Sequence, residues 1–166
     1  MASHPDQELI RTRLAAYAAA WNKHSADDIV AFMTDGVFIN DYCSFSHILS
    51  FPPCLSSSSP SLMHFQFTAA GVLNLSKAGV HTLYSNIFAS SENLKVTTRS
   101  VSGHKHFTAW EWEVTFNYVK PMAHKEEYSP AMADGRSMCI TGVSLLWWND
   151  DGKIVKEHDY SKTFTQ

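Results

Sequence analysis

An α+β fold, three helices followed by a curved and mostly antiparallel sheet with the helices packed on one face, is predicted by three features of the chain. Apolar residues recur at helical spacing up to about residue 90. Beyond it they alternate, as in half-buried strands. The run Asn149-Asp150-Asp151-Gly152 then gives a strong hairpin signal between the last two alternating stretches.

Ile10, Leu14, Tyr17 and Trp21 fall on one face of an Ala-rich stretch, which predicts an amphipathic helix over residues 6–22. Ser25 followed by Asp28 is a capping-box-like start for a second helix through Ile29, Val30 and Phe32, ending near Asp35-Gly36. The two helices form a hairpin. Val37 to Tyr42 is rich in β-formers and predicts a short first strand. Ser76 is a suitable N-cap for a third helix, whose stripe is Val80, Leu83, Tyr84, Ile87 and Phe88. Strands are expected over 94–102 and 107–119 around a Ser-Gly-His-Lys turn, and over 137–148 and 153–163 around the Asn149–Gly152 turn. A long polar crossing, residues 120–136, separates the two pairs.

Residues 43–70 interrupt this order. They contain four consecutive Ser and three of the six Pro, with no Asp, Glu, Lys or Arg up to Thr68. A loop of this length without secondary structure is uncommon in a small domain. Two readings stand: a flexible insertion at the mouth of a pocket, or non-native sequence such as a translated intron, which would leave the chain poorly folded. Deleting the segment leaves a normal strand-to-helix connection.

The chain has 166 residues, 45% of them hydrophobic, enough for one domain over residues 1–166 with a sizeable core. Its net charge of −3 and scattered Lys and Arg argue against nucleic acid. The first residues lack the layout of a signal peptide and no window is long and apolar enough to span a bilayer, so a cytoplasmic protein without a membrane partner is expected. Three Cys without ligand-like spacing disfavour a disulfide framework and a zinc site. His104 and His106 would share a strand face, a spacing that can bind metal, but no third ligand accompanies them, so no metal is expected. No glycine-rich phosphate loop or Gly-x-Ser-x-Gly elbow is present. Five Trp serve an apolar pocket, core packing or a dimer face.

The order of elements, the stretch AAWNKHSADDIVAFMTDGVFIND over residues 19–41 and the terminal DDGKIVKEHDY over 150–160 resemble the SnoaL-like polyketide cyclases of the nuclear transport factor 2-like superfamily. The resemblance covers nearly all of the chain outside the Ser/Pro segment. It implies a cystatin-like cone whose sheet wraps a long helix and leaves a pocket. Members include cofactor-free isomerases, dehydratases, epoxide hydrolases and cyclases, and others that only bind or dimerise, so the fold is implied more strongly than the reaction.

On the last strand Glu157 and Asp159 share one face, His158 and Tyr160 the other. The pattern Gly152-Lys153-Ile154, then Asp159-Tyr160, resembles that of limonene epoxide hydrolase, which makes Asp159 the expected acid/base, its pKa raised in an apolar cavity. His158 faces away, as a surface or interface residue. On the strand Trp110-Glu111-Trp112-Glu113, alternation alone turns the tryptophans inward. The resemblance implies the reverse, with Glu111 and Glu113 lining the pocket and the Trp face burying against a second subunit. No arginine stands at Glu111, so an Asp-Arg-Asp relay for epoxide opening is not reproduced. On the first strand, Asn40 falls where ketosteroid isomerase places its base; an amide cannot abstract a proton, but it can orient a water or a carbonyl. A one-residue bulge would bring Asp41 in instead. Tyr17, Trp21, Phe38, Glu111 and Glu157 are further candidates for contact with a substrate.

The expectation is a cofactor-independent acid/base enzyme for cyclisation, isomerisation or dehydration of a small hydrophobic polyketide- or terpenoid-type metabolite. Asp159, Asp41, Asn40 and Glu113 are its candidate catalytic residues, and a homodimer forms through the sheet face. The alternative is a non-catalytic ligand-binding or dimerisation module of the same fold.

Overall fold

The computed structural model describes residues 5–45, 72–120 and 135–165, and within them three helices and six strands. In chain order these are α1 (Pro5–Asn22), α2 (Ala26–Val30), β1 (Met33–Phe45), β2 (Val72–Leu75), α3 (Lys77–Ser90), β3 (Ser91–His104), β4 (Phe107–Tyr118), β5 (Ser137–Trp148) and β6 (Ile154–Thr165). The strands form one sheet in the order β2-β1-β6-β5-β4-β3. Only the β1–β6 pair within it is parallel. The expected α+β class, with helices on a curved sheet, is what is found.

Both predicted caps are present. Ser25 Oγ accepts from Asp28 N–H at 3.1 Å, and Ser76 Oγ from Gly79 N–H at 3.3 Å. The boundaries differ where pairing overrides local signals. The second helix ends at Val30 and β1 already begins at Met33, because Ile154 N–H donates to Phe32 O at 2.7 Å and Met33 pairs with Ile154. Asp35 and Gly36 therefore lie inside the strand, where the register with β6 shifts between Met33 and Phe38. The strand also runs on to Phe45, three residues into the Ser/Pro segment; from 46 to 70 that segment lies outside the described residues. The short β2 was not expected. His104 ends β3 and His106 sits in the turn after it, so the two do not share a strand face.

The core lies between the helices and one face of the sheet. Leu14 and Tyr17 of α1, Ile29 of α2, and Val80, Leu83 and Tyr84 of α3 pack against Ile39, Val96, Trp110, Phe116, Leu146 and Ile154. Helix α1 is tied to the sheet by Asn22, whose amide donates to Val96 O at 3.0 Å and accepts from Val96 N–H at 2.8 Å. Gly152, at φ 71°, turns the final hairpin and lies under the Arg13 guanidinium.

Candidate functional site

Directly paired strand residues point the same way, so the register sorts every side chain onto the helix-facing (inner) or the outer face. Asp159 pairs with Ser144 on β5 and with Asp41 on β1, and Ser144 pairs with Trp110 on β4. Glu157 pairs with Ile39 and Leu146. Since Ile39, Trp110 and Leu146 are core residues, Asp41, Ser144, Glu157 and Asp159 all face the helices. The unsettled choice on the first strand is thereby decided by the β1–β6 register: Asp41 stands beside Asp159, while Asn40 is on the other face.

Glu157 is 2% exposed. Tyr17, brought over it by α1, is also buried and donates from Oη to Glu157 Oε2 at 3.2 Å. Burial pushes the Glu157 carboxyl well above the usual carboxylate range, and neighbouring Asp159 adds to this. Its second hydrogen-bonding neighbour is Asp159 itself. Asp159 accepts at Oδ1 from Ser144 Oγ–H, and Ser144 Oγ in turn accepts from Trp112 Nε1–H at 2.9 Å. Burial first and the charge of Asp41 second push Asp159 up to about 7, against the hydrogen bonds from Ser144 and Glu157, which pull it down. Around this cluster Trp110 packs edge-on to Tyr17 at 5.7 Å, and Trp21 lies against Tyr84 at 4.5 Å. Tyr17 and Tyr84 are both pushed above the usual phenol value, by burial first and by neighbouring groups on this face next.

The cluster is not sealed. Ser144 and Glu157 are buried, whereas Asp41, Trp112 and Asp159 remain partly exposed, so the polar group opens at the Asp41–Asp159 end. Trp21 Nε1 is buried and has the Tyr17 hydroxyl as a polar neighbour, whose pKa it lowers. A separate shallow depression of about 640 Å³ lies between Arg99, Glu111, Trp112, Gly142, Val143 and Tyr160; Asp159 does not line it.

Several candidates stand elsewhere. Glu113 forms an ion pair with Arg99 at 2.7 Å and Glu111 accepts from Ser100 Oγ–H at 2.8 Å, both on the outer face. The implied inward facing of Glu111 and Glu113 is corrected: β4 turns Trp110 and Trp112 toward the helices, as plain alternation has it, because the large apolar faces are the ones worth burying. Asn40 is also on the outer face, with Nδ2 at 3.1 Å from Tyr42 Oη and 3.3 Å from His158 Nε2, and Oδ1 accepting from Asn74 N–H at 2.9 Å. It braces β2 against β1. Phe38 shares that face and is exposed. His158 lies there too, its pKa lowered by burial and then by Lys156. Tyr17 has its hydroxyl committed to Glu157, so it reaches a ligand only through that carboxyl. Among the described residues no group of three or more His, Cys, Asp or Glu is placed to hold a metal ion.

Ser144 and the hydrogen bond it accepts from Trp112 were not anticipated, although plain alternation already turns Trp112 inward. Ser144 is the one hydroxyl among the inward positions Met138, Ile140, Gly142, Ser144, Leu146 and Trp148 of β5, a polar interruption of an apolar alternation and so a readable signal.

A helix-lined sheet face carrying a carboxyl cluster on its terminal strand defines the class by its fold, the nuclear transport factor 2-like, ketosteroid isomerase-like one. No family model matches the chain. The assignment rests on particular relatives. The chain is 28% identical over 123 residues to the cyclase aurE of Calcarisporium arbuscula, covering 74% of this chain and 78% of the relative. It superposes on a protein with a ketosteroid isomerase-like fold from Catenulispora acidiphila with a TM-score of 0.59 at 13% identity, over 89% of this chain and 83% of that one. The BvnE pinacolase of Penicillium brevicompactum matches with a TM-score of 0.60 at 9% identity, over 94% and 87%.

Proposed function

We propose that this protein is a cofactor-independent acid/base enzyme that cyclises, isomerises or dehydrates a small hydrophobic metabolite of polyketide or terpenoid type, with Asp159 moving the proton. One observation carries this reading: a partly exposed carboxyl, set between Asp41 and the buried Glu157, is pushed up to about 7. A carboxylate that is half protonated near neutrality can both remove a proton from carbon and return one to oxygen or to another carbon. Asp41 is the nearer carboxyl neighbour for binding a substrate hydroxyl or a water. Trp112 and Trp21 supply aromatic surface. The cyclase and pinacolase among the similar proteins support secondary metabolism as the setting.

Incubation of the purified protein with the polyketide and terpenoid extract of its host, followed by mass spectrometry, tests this. The expected product has the mass of its substrate or that mass less one water, and Asp159→Asn abolishes its formation. Full turnover by Asp159→Asn would overturn the assignment.

A second reading has its own observation. Phe38, Tyr42 and Tyr160 are exposed on the outer face, with Tyr42 and Tyr160 stacked at 4.9 Å. Such a surface suits burial against a second copy of the chain, whether or not the inner face is catalytic. Light scattering on the intact protein and on Tyr160→Glu distinguishes a dimer that the substitution splits from a monomer that it leaves unchanged.

A further inference from the structure

We infer that Ser144 and Glu157 are positioning residues that both donate to Asp159: Ser144 with its Oγ already accepting from the Trp112 indole, and Glu157 because it stays protonated. The inference rests on Asp159 being the proton-moving group and adds to it the two residues that hold and tune it.

The first arm follows from counting protons. An indole nitrogen can only donate, so at 2.9 Å the Trp112 Nε1–H occupies Ser144 Oγ as an acceptor. The single hydroxyl proton of Ser144 is then directed at its other neighbour, Asp159 Oδ1, in the bond the structure shows. A serine without such a neighbour is free to turn its proton elsewhere; the indole on one lone pair of Oγ favours the orientation in which this one presents its proton to Asp159. It therefore stabilises the charged carboxylate and fixes the plane of the group.

The second arm follows from the surroundings of Glu157. Among the described residues, the groups facing it and Asp159 are Tyr17 from α1, Tyr84 from α3, Asp41 from β1 and Ser144 from β5. None of these is a cation. Two adjacent buried carboxylates with no positive partner cannot both ionise cheaply, and the more deeply buried one keeps its proton. Glu157 is 2% exposed and Asp159 is partly open, so the proton stays on Glu157. With Tyr17 donating to Oε2, its acidic proton is left for Asp159. Donors thus run in two lines, Trp112 to Ser144 to Asp159 and Tyr17 to Glu157 to Asp159.

The test needs no substrate, which separates it from the fate of the functional assignment. The Asp159 carboxyl of the full-length ¹³C-labelled protein is titrated by NMR. Ser144→Ala removes a donor from the charged form, and the midpoint should rise by about one unit. Trp112→Phe frees the Ser144 proton and should raise it by less, which gives a second arm if Ser144→Ala fails to fold. Glu157→Gln presents the same neutral donor and acceptor as a protonated glutamic acid, so the midpoint should move by less than about half a unit. Glu157→Gln lowering the midpoint by about a unit or more would mean that Glu157 carries a charge, and would overturn that arm. An unchanged or lowered midpoint in both Ser144→Ala and Trp112→Phe would overturn the other. Once a substrate is known, the acidic limb of kcat/KM should move with the Ser144→Ala midpoint, a shift that loss of packing alone does not produce.

Discussion

The two faces of the sheet use the same residue types to opposite ends. On the outer face Glu113 meets Arg99 and Glu111 meets Ser100, in a part-exposed to exposed setting. Glu113 raises the pKa of the exposed Arg99, first by its hydrogen bond and then by its charge. On the inner face Glu157 and Asp159 meet each other, Asp41 and neutral donors, and both carboxyls are pushed up. The difference is the partner and the depth. On the outer face the carboxylates meet a cation and a hydroxyl near solvent, whereas on the inner face burial beside another acid raises the pKa.

The same edit on the two faces is the strongest way to break this contrast. Asp159→Asn should lower turnover of the true substrate by roughly 10²–10⁴, the usual worth of a general acid/base, while Glu113→Gln leaves it within about twofold. Equal losses in a steady-state assay would show that the faces do not divide the work.

The pH dependence of stability comes next. Because Asp159 and Glu157 have folded pKa values above their unfolded ones, the folded state holds protons that the unfolded chain releases. That contribution is fully present below the unfolded carboxylate values, near pH 4, and is lost as pH rises through about 7 for Asp159. Thermal scans across this window should therefore show a flatter loss of Tm for Asp159→Asn than for the native protein. A change of about 1 kcal/mol moves Tm by roughly 2–4 °C in a domain of this size, well within such a scan. Parallel curves would contradict the raised value.

Gly142 tests the line that aims Ser144. A Cβ there would lie 2.6 Å from the Trp112 ring and 2.7 Å from Tyr160 O, neither of which is a flexible chain end. Gly142→Ala should displace the indole from Ser144 and cost about 1–3 kcal/mol, the usual penalty of overpacking. Urea unfolding measures the cost, and the Asp159 titration shows whether the donor line is broken.

Much of this architecture is legible in the sequence, because helical and alternating periods are properties of contiguous residues. The stripe Val80, Leu83, Tyr84 announces α3, and the parity of Glu157 and Asp159 announces their shared face. Pairing between distant strands is not contiguous, and there the sequence is silent or misleading. Asn40 and Asp41 can be told apart only by which of them lies beside Asp159 in the β1–β6 register. The turn-like Asp35-Gly36 is drawn into β1 by the same neighbour. Glu111 and Glu113 teach the reverse: plain alternation has them outside, as they are, and the family pattern that implied them inside misleads in a chain without the arginine that accompanies it.

The smallest effect should come from that outer pair. Arg99→Ala removes the cation from Glu113 but exposes it to water rather than stranding it, since the Arg99 side chain is 54% exposed and that of Glu113 25%. Exposed ion pairs contribute about 0–1 kcal/mol, because solvent screens the charges and ordering two long side chains costs entropy. Urea unfolding of Arg99→Ala should therefore differ from the native protein by less than about 1 kcal/mol, less still at high salt. A loss above about 2 kcal/mol would mean that the outer face is closed off in solution, by a second copy of the chain covering it, and that Glu113 is held there under the same buried conditions as Glu157.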